Sequence, residues 1–154
     1  MTQTNFKGSV RFDIKRSYHV SGALWYETPY LNGIKHGIAR EYYGSGALRR
    51  EVPYVNGEEH GILKYYYESG VLRYETPYVK GDVQGTEKIY YESGALLQET
   101  IYDNGKRHGI LKYYDEDKMS IAYLILYNEG RILLSLQRES EKSIITTCYV
   151  RGSQ

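Results

Sequence analysis

Residues 22–117 are four copies of one 24-residue unit laid end to end without slippage. Gly22, Gly46, Gly70 and Gly94 fall in step, as do Gly33, Gly57, Gly81 and Gly105, and Gly37, Gly61, Gly85 and Gly109. Tyrosine keeps the same period in two rows: Tyr30, Tyr54, Tyr78 and Tyr102, then Tyr42, Tyr66, Tyr90 and Tyr114. A fixed period makes each unit one supersecondary element that buries its surface on its neighbours. Stacking of this kind produces an extended surface, and extended surfaces bind.

Each copy carries two short runs rich in β-branched and aromatic residues, 47–55 and 62–67 in the second copy, both too short for helices. The segment 56–61 between them, Asn-Gly-Glu-Glu-His-Gly, supplies residues that tolerate positive φ, and Glu68, Ser69 and Gly70 form a second turn into the next copy. The expectation is an all-β chain: an elongated single-layer antiparallel sheet of tandem β-hairpins, two strands per copy. At about 4.8 Å between strands, each copy advances roughly 10 Å and four copies roughly 40 Å.

Loop symmetry places Val55 opposite Ile62, Glu51 opposite Tyr66 and Pro53 opposite Lys64. One face then carries Leu48, Tyr54, Leu63, Tyr65 and Tyr67, and the other Arg49, Glu51, Pro53, Val55, Ile62, Lys64 and Tyr66. Glu27, Glu51, Glu75 and Glu99 form a row, with Arg40, Lys64, Lys88 and Lys112 on its diagonal. Pro29, Pro53 and Pro77 each remove a ladder donor, so a bulge or splay is expected beside them, and a different strand in the fourth copy, where Ile101 stands in the proline slot.

The chain reads as one domain, 1–154. Residues 1–21 are an N-terminal cap or half repeat, since Tyr18 takes the Tyr42 slot. Residues 118–154 form a degenerate repeat and capping strands, with strand-like runs at 120–127, 131–136 and 143–150. Terminal units of an array must close an apolar edge, which accounts for their departure from the repeat.

Composition narrows the function classes. The 20 Lys and Arg against 19 Asp and Glu leave a formal charge of +1, which gives no broad basic field for nucleic acid or an anionic membrane. Residues 1–8 lack the charged and apolar regions of a signal peptide, and no apolar run approaches about 18 residues, so the sequence reads as soluble and cytoplasmic. A single cysteine, Cys148, forms no intrachain disulfide and no metal cluster, and its expected role is packing. The 19 tyrosines, against two Phe and one Trp, suit a half-buried surface because tyrosine joins an apolar body to a polar tip.

The segments Asn56-Gly57 to His60-Gly61 and Asn104-Gly105 to His108-Gly109, with the runs from Tyr42-Tyr43 to Gly46 and Leu48 and from Tyr90-Tyr91 to Gly94 and Leu96, resemble MORN repeats. The likeness is to the bacterial variant, and the Tyr-x-Gly-x-Trp opening of the eukaryotic repeat is absent. It covers roughly residues 18–117 and implies an elongated single-layer sheet. It further implies an antitoxin or immunity role of the YwqK type, in which the protein binds a cognate bacterial toxin and covers its active site.

The residues favour no enzyme. His36, His60 and His108 share one turn position, with Gln84 in the third copy, and repeat-to-repeat steps of roughly 10 Å are too long for two of them to share a zinc at about 2.1 Å. They are expected to stabilise the turn. Paired carboxylates such as Glu51 and Glu75 lack the unlike environments that an acid and a base require, and there is no catalytic triad, Walker loop or nucleotide fingerprint. No cofactor is expected. The regular tyrosine rows are expected to pack between strands, while Trp25, Tyr26, Tyr43, Tyr65, Tyr67, Tyr74, Tyr91 and Tyr113 are the candidate anchors for a protein partner. Two alternatives stand beside the toxin-binding reading: a scaffold that self-associates through its edge or aromatic face, and a peripheral lipid-binding module.

Overall fold

A computed structural model describes residues 10–117, 120–140 and 143–148. The first nine residues of the N-terminal cap, the end of the last expected strand at 149–150 and the side chain of Cys148 lie outside the described residues. All elements are strands: β1 Phe12–Tyr18, β2 Leu24–Leu31, β3 Ile34–Lys35, β4 Gly37–Tyr42, β5 Leu48–Val55, β6 Glu58–Glu59, β7 Gly61–Tyr66 and β8 Leu72–Val79. The chain continues through β9 Asp82–Val83, β10 Gly85–Tyr90, β11 Leu96–Asp103, β12 Lys106–Arg107, β13 Gly109–Tyr114, β14 Ile121–Asn128, β15 Arg131–Ser140 and β16 Ser143–Cys148. They form one open antiparallel sheet of tandem hairpins, in which β3, β6, β9 and β12 fold back on the strand before them. The expected single-layer all-β architecture is therefore the observed one.

The unit that repeats most completely is the hairpin closed by the Ser-Gly turn. β4 and β5 pair at six positions from Gly37 with Tyr54 to Tyr42 with Leu48, and β7–β8, β10–β11, β13–β14 and β1–β2 repeat the pattern. By contrast β5 meets β7 only at Arg50 with Tyr65 and Glu51 with Lys64. That register differs by two residues from the expected one, which had Glu51 opposite Tyr66. The cause is the connection 56–61, which is not an open loop. Asn56 (φ 52°) and Gly57 (φ 92°) make a two-residue turn of the mirror-image type that suits a twisted hairpin. β6 then pairs briefly with β5, and at His60 and Gly61, where β7 begins, the chain bulges so that its pairing with β5 resumes two residues out of step.

The bulge lies against the proline, as anticipated. The His60 N–H donates to the Pro53 carbonyl at 2.9 Å, and a side chain on Gly61 would put its Cβ 3.1 Å from the proline ring. Only glycine combines that contact with a φ of +116°. The fourth copy does not change strand type as expected: His108 donates to the Ile101 carbonyl at 2.8 Å, and the bulge is retained without the proline.

A second irregularity corrects the faces. Between Glu41 and Tyr42 the register slips, so Glu41 faces Arg50 while Tyr42 faces Leu48. Leu48 therefore lies with Tyr42 on the charged face, and the Arg49 guanidinium reaches Glu41 and Tyr65 on the aromatic face, the reverse of the sequence expectation. Nor do the acidic and basic rows lie on a diagonal. Arg16, Glu27, Arg40, Glu51, Lys64, Glu75, Lys88, Glu99 and Lys112 stand directly opposite one another across nine strands.

The core lies on the aromatic face, where one row supplies most of it, joined by Tyr127 and by Glu41 and Gln98 of the next row. Ala39 pairs with Val52, Leu63 with Thr76, Glu87 with Thr100 and Leu111 with Ile125, and Val52, Leu63, Thr76, Thr100 and Leu111 are all buried. In a one-layer sheet such burial comes from neighbours on the same face closing over the row. Burying a leucine fully is worth about 2 kcal/mol, so this row is a principal source of stability. The opposite face leaves Ile38, Ile62, Ile101 and Ile110 exposed.

Candidate functional site

The charged face repeats one set of bonds. The Tyr42, Tyr66, Tyr90 and Tyr114 hydroxyls donate to Glu27, Glu51, Glu75 and Glu99 at 3.1, 3.3, 3.0 and 2.8 Å. Arg40 joins Glu51 at 3.0 Å and Glu27 at 3.5 Å, and Lys112 joins Glu99 at 3.5 Å. Burial, then hydrogen bonding to Glu75, pushes the Tyr90 hydroxyl up to about 12, and burial with Glu99 does the same to Tyr114. All four glutamates of this ladder have partners within the sheet, and Lys64 and Lys88 stand opposite them by register without a close ion pair among the described residues. The ladder holds register, which is the work cross-strand pairs do best.

Of the eight anticipated residues, three hold one repeat to the next. The hydroxyls of Tyr43, Tyr67 and Tyr91 donate to the carbonyls of Tyr66, Tyr90 and Tyr114 at 2.7, 2.9 and 3.1 Å. His19 takes the same slot one repeat earlier, with its Nε2 at 3.3 Å from the Tyr42 carbonyl. At the far margin His36 Nδ1 accepts from the Asn56 N–H at 3.4 Å, and Gln84 accepts from the Asn104 N–H at 2.8 Å. Histidine and glutamine are interchangeable there because both offer an acceptor to the next turn.

The other five anticipated residues lie on or beside one row of the aromatic face. Across the sheet it runs Ser17, Tyr26, Glu41, Arg50, Tyr65, Tyr74, Ile89, Gln98, Tyr113, Tyr123 and Gln137, each opposite the next. Unlike the charged row one residue away, it has no repeating chemistry. Tyr65 stacks on Tyr74 with ring centroids 5.1 Å apart, and Tyr113 on Tyr123 at 4.4 Å. Trp25, in the bulge, leans on His19 at 5.4 Å and Tyr26 at 4.7 Å and remains exposed.

Arginines that the sequence reading did not single out organise the middle of this row. Arg49 lies 5.6 Å from the Tyr43 ring and 5.4 Å from the Tyr65 ring, and Arg73 lies 5.9 Å from Tyr65 and 5.4 Å from Tyr67. Cations over tyrosine faces gain about 0.5–1 kcal/mol when exposed. The buried Glu41 carboxylate accepts from Arg49 Nη1 at 2.6 Å and pairs with Arg50 Nε at 3.3 Å, so its charge is fully met. Burial, followed by the neighbouring Glu41, raises the Tyr26 hydroxyl. The signal for the arginines was present: Trp25, Arg49, Arg73 and Leu97 share one slot of the repeat and differ between copies.

Beside the arginines the buried row has a gap. The slot that holds Leu63, Glu87 and Leu111 in later copies is Ala39 in the first, and a hollow opens above it. Its walls are Tyr26, Tyr30, Tyr54, Lys35, Glu41 and Arg50. Lys35 Nζ sits 4.6 Å above the Tyr54 ring. Among the described residues no three His, Cys, Asp or Glu side chains come together in the manner of a metal site.

The family description for the MORN repeat variant matches residues 35–56, 59–80 and 83–104. The chain thus carries three tandem MORN-variant repeats, each spanning one bulge, one Ser-Gly turn and the strands on either side. The outer hairpins β1–β2 and β13–β14 follow the same pairing beyond the matched residues. No curated protein matches the chain.

Proposed function

We propose that this protein is a non-enzymatic binding protein whose aromatic face engages a protein partner, and that the partner is a bacterial toxin held inactive by occlusion of its active site. The observation that carries the reading is the contrast between two rows: the charged row alternates acid and base at every step, whereas the row beginning Ser17, Tyr26, Glu41, Arg50 and Tyr65 follows no such alternation and differs from each repeat to the next. Repeat proteins acquire specificity by varying surface positions on a constant frame. Tyrosine and arginine, half-buried in this row, are also the residues favoured where binding energy concentrates. Neutralisation needs no cofactor and no chemistry on the part of this chain. The MORN-variant repeats support a role in binding, and the immunity assignment rests on the family likeness in addition.

The test is co-expression with the C-terminal domain of the product encoded immediately upstream. Growth rescue together with a one-to-one complex is the expected outcome. No rescue of growth and no complex would remove the immunity reading. A second reading, self-association, is favoured by the exposed apolar row Ile38, Ile62, Ile101 and Ile110 on the opposite face and by the outer strand β1, exposed along its whole length. A mass by light scattering that rises with concentration would support it.

A further inference from the structure

The geometry points to a specific occupant for the aromatic face: an acidic segment of the partner that places a bulky apolar side chain in the hollow above Ala39 and a carboxylate on Arg73. This inference rests on the binding role proposed above and names the chemistry of the partner.

Three observations carry it. The hollow exists because one repeat has alanine where two others have leucine, so a side chain of leucine size or larger is missing from an otherwise filled row. Three tyrosine rings, Tyr26, Tyr30 and Tyr54, and Val52 form part of its wall, a surface on which an apolar or aromatic insert can pack among the charged side chains. Second, cations gather beside it. Lys35, Arg49, Arg50 and Arg73 line the hollow or lie over neighbouring tyrosine rings, and the nearby carboxylates are already bonded, Glu59 to the Tyr54 hydroxyl, Glu68 to Ser45 and Glu87 to Thr76. Glu41 is used up by Arg49 and Arg50.

Third, Arg73 is exposed, is held over two rings, and has no carboxylate partner among the described residues. A guanidinium held by stacking and left without an anion is preorganised to take a carboxylate in a two-pronged pair. The near-neutral whole chain makes this a local field, suited to one acidic stretch rather than to a polyanion.

Spacing sharpens the inference. β4, which carries Ala39, and β8, which carries Arg73, are three strand steps apart in the sheet, roughly 14 Å, and Arg73 lies three residues, roughly 10 Å, along β8 from Thr76, the residue level with Ala39. The two points are thus roughly 17 Å apart, which an extended peptide covers in about five residues. The recognised pattern is therefore a bulky residue and an acidic residue about five positions apart.

Two substitutions taken from the protein's own repeats test this without disturbing the fold. Ala39→Leu fills the hollow with the residue found at Leu63 and Leu111, and Arg73→Leu installs the residue found at Leu97. Arg49 is left alone because its loss would take from the buried Glu41 the shorter of its two ion pairs. The full chain is panned against a display library of random peptides, and the selected peptides are measured by calorimetry on the parent and both variants, with unfolding curves as the folding control. The expected result is a consensus with an acidic residue and a bulky one at the stated separation, and an affinity loss of about tenfold or more in each variant. A consensus without acidic residues, no consensus at all, or binding by both variants as tight as the parent's overturns the site. So does oligonucleotide binding that Arg73→Leu abolishes, which would assign the cations to phosphate. In the co-expression assay, rescue by the parent that survives both substitutions overturns the site and leaves the immunity role standing. An acidic consensus without rescue keeps the site and removes the toxin.

Discussion

Lys64 and Tyr65 are consecutive in one strand and point to opposite faces, and the rows they belong to obey different rules. Lys64 sits between Glu51 and Glu75 in a row where acid and base alternate across nine strands. Tyr65 sits between Arg50 and Tyr74 in a row where no pattern holds. On the charged face acid stands opposite base at every step, so a charge reversal at one strand sets like charges against two others. On the aromatic face even the buried row changes, from Ala39 to Leu63, Glu87 and Leu111, and the row beside it keeps no alternation. A repeat array needs both: a frame that fixes register and a surface that does not.

The largest test of the frame is alkaline pH. The Tyr90, Tyr114 and Tyr123 hydroxyls are pushed up to about 12, the first two by burial and their glutamates, the third by burial and Tyr113. A raised value in the folded state favours the protonated hydroxyl, so its contribution is complete below about pH 10 and is lost as pH rises through 12. Cooperative unfolding is expected in that window, followed by tyrosinate absorbance and circular dichroism together. Smooth ionisation of all tyrosines near 10 with the sheet intact would show that the ladder does not bear on stability.

Next in size is a comparison of adjacent apolar residues on the two faces. Leu63 is 7% exposed and Ile62 is 51% exposed. Leu63→Ala is expected to destabilise by about 3 kcal/mol in urea unfolding, and Ile62→Ala by less than about 1 kcal/mol. Equal losses would place core on both faces and remove the distinction between frame and surface.

A charge reversal probes the ladder directly. Lys64→Glu sets like charges opposite Glu51 and Glu75, for an expected loss of about 2 kcal/mol from two pairs, reduced by salt. Lys64→Arg should be neutral, since Arg40 already occupies that slot one repeat earlier. A loss that salt does not reduce would point to packing of the lysine stem instead of its charge.

The fold was legible from the period alone, because glycine and tyrosine recur at fixed positions and two strand-like runs fit between them. The register was not. Residues 56–61 read as one loop, but a two-residue turn and a two-residue bulge divide it, and only the pairing of β6 with β5 separates them. The slip beside Tyr42 was equally hidden, and it exchanges Leu48 and Arg49 between faces. The arginine cluster depends on that slip, which is why the sequence offered the tyrosines and not the cations that lie over them. The variation at Trp25, Arg49, Arg73 and Leu97 was readable, but its meaning required knowing where the bulge points.

The smallest expected effect separates frame from surface within a single pair of anticipated residues, Tyr65 and Tyr67. The Tyr67 hydroxyl donates to the Tyr90 carbonyl, so Tyr67→Phe leaves that carbonyl without its partner and is expected to lower stability by about 1 kcal/mol. The ring stays in place under Arg73, so peptide affinity should be unchanged once the protein is folded. Tyr65→Phe keeps the stack on Tyr74 but removes the oxygen that accepts from Arg49 Nε on the aromatic face. Because Arg49 retains Glu41, stability should change less than in Tyr67→Phe, while the guanidinium loses one of the groups that orient it toward a bound partner. Measured side by side, the first substitution should move the unfolding midpoint and the second the affinity. The opposite assignment of the two effects would place Tyr67 on the binding surface and Tyr65 in the frame.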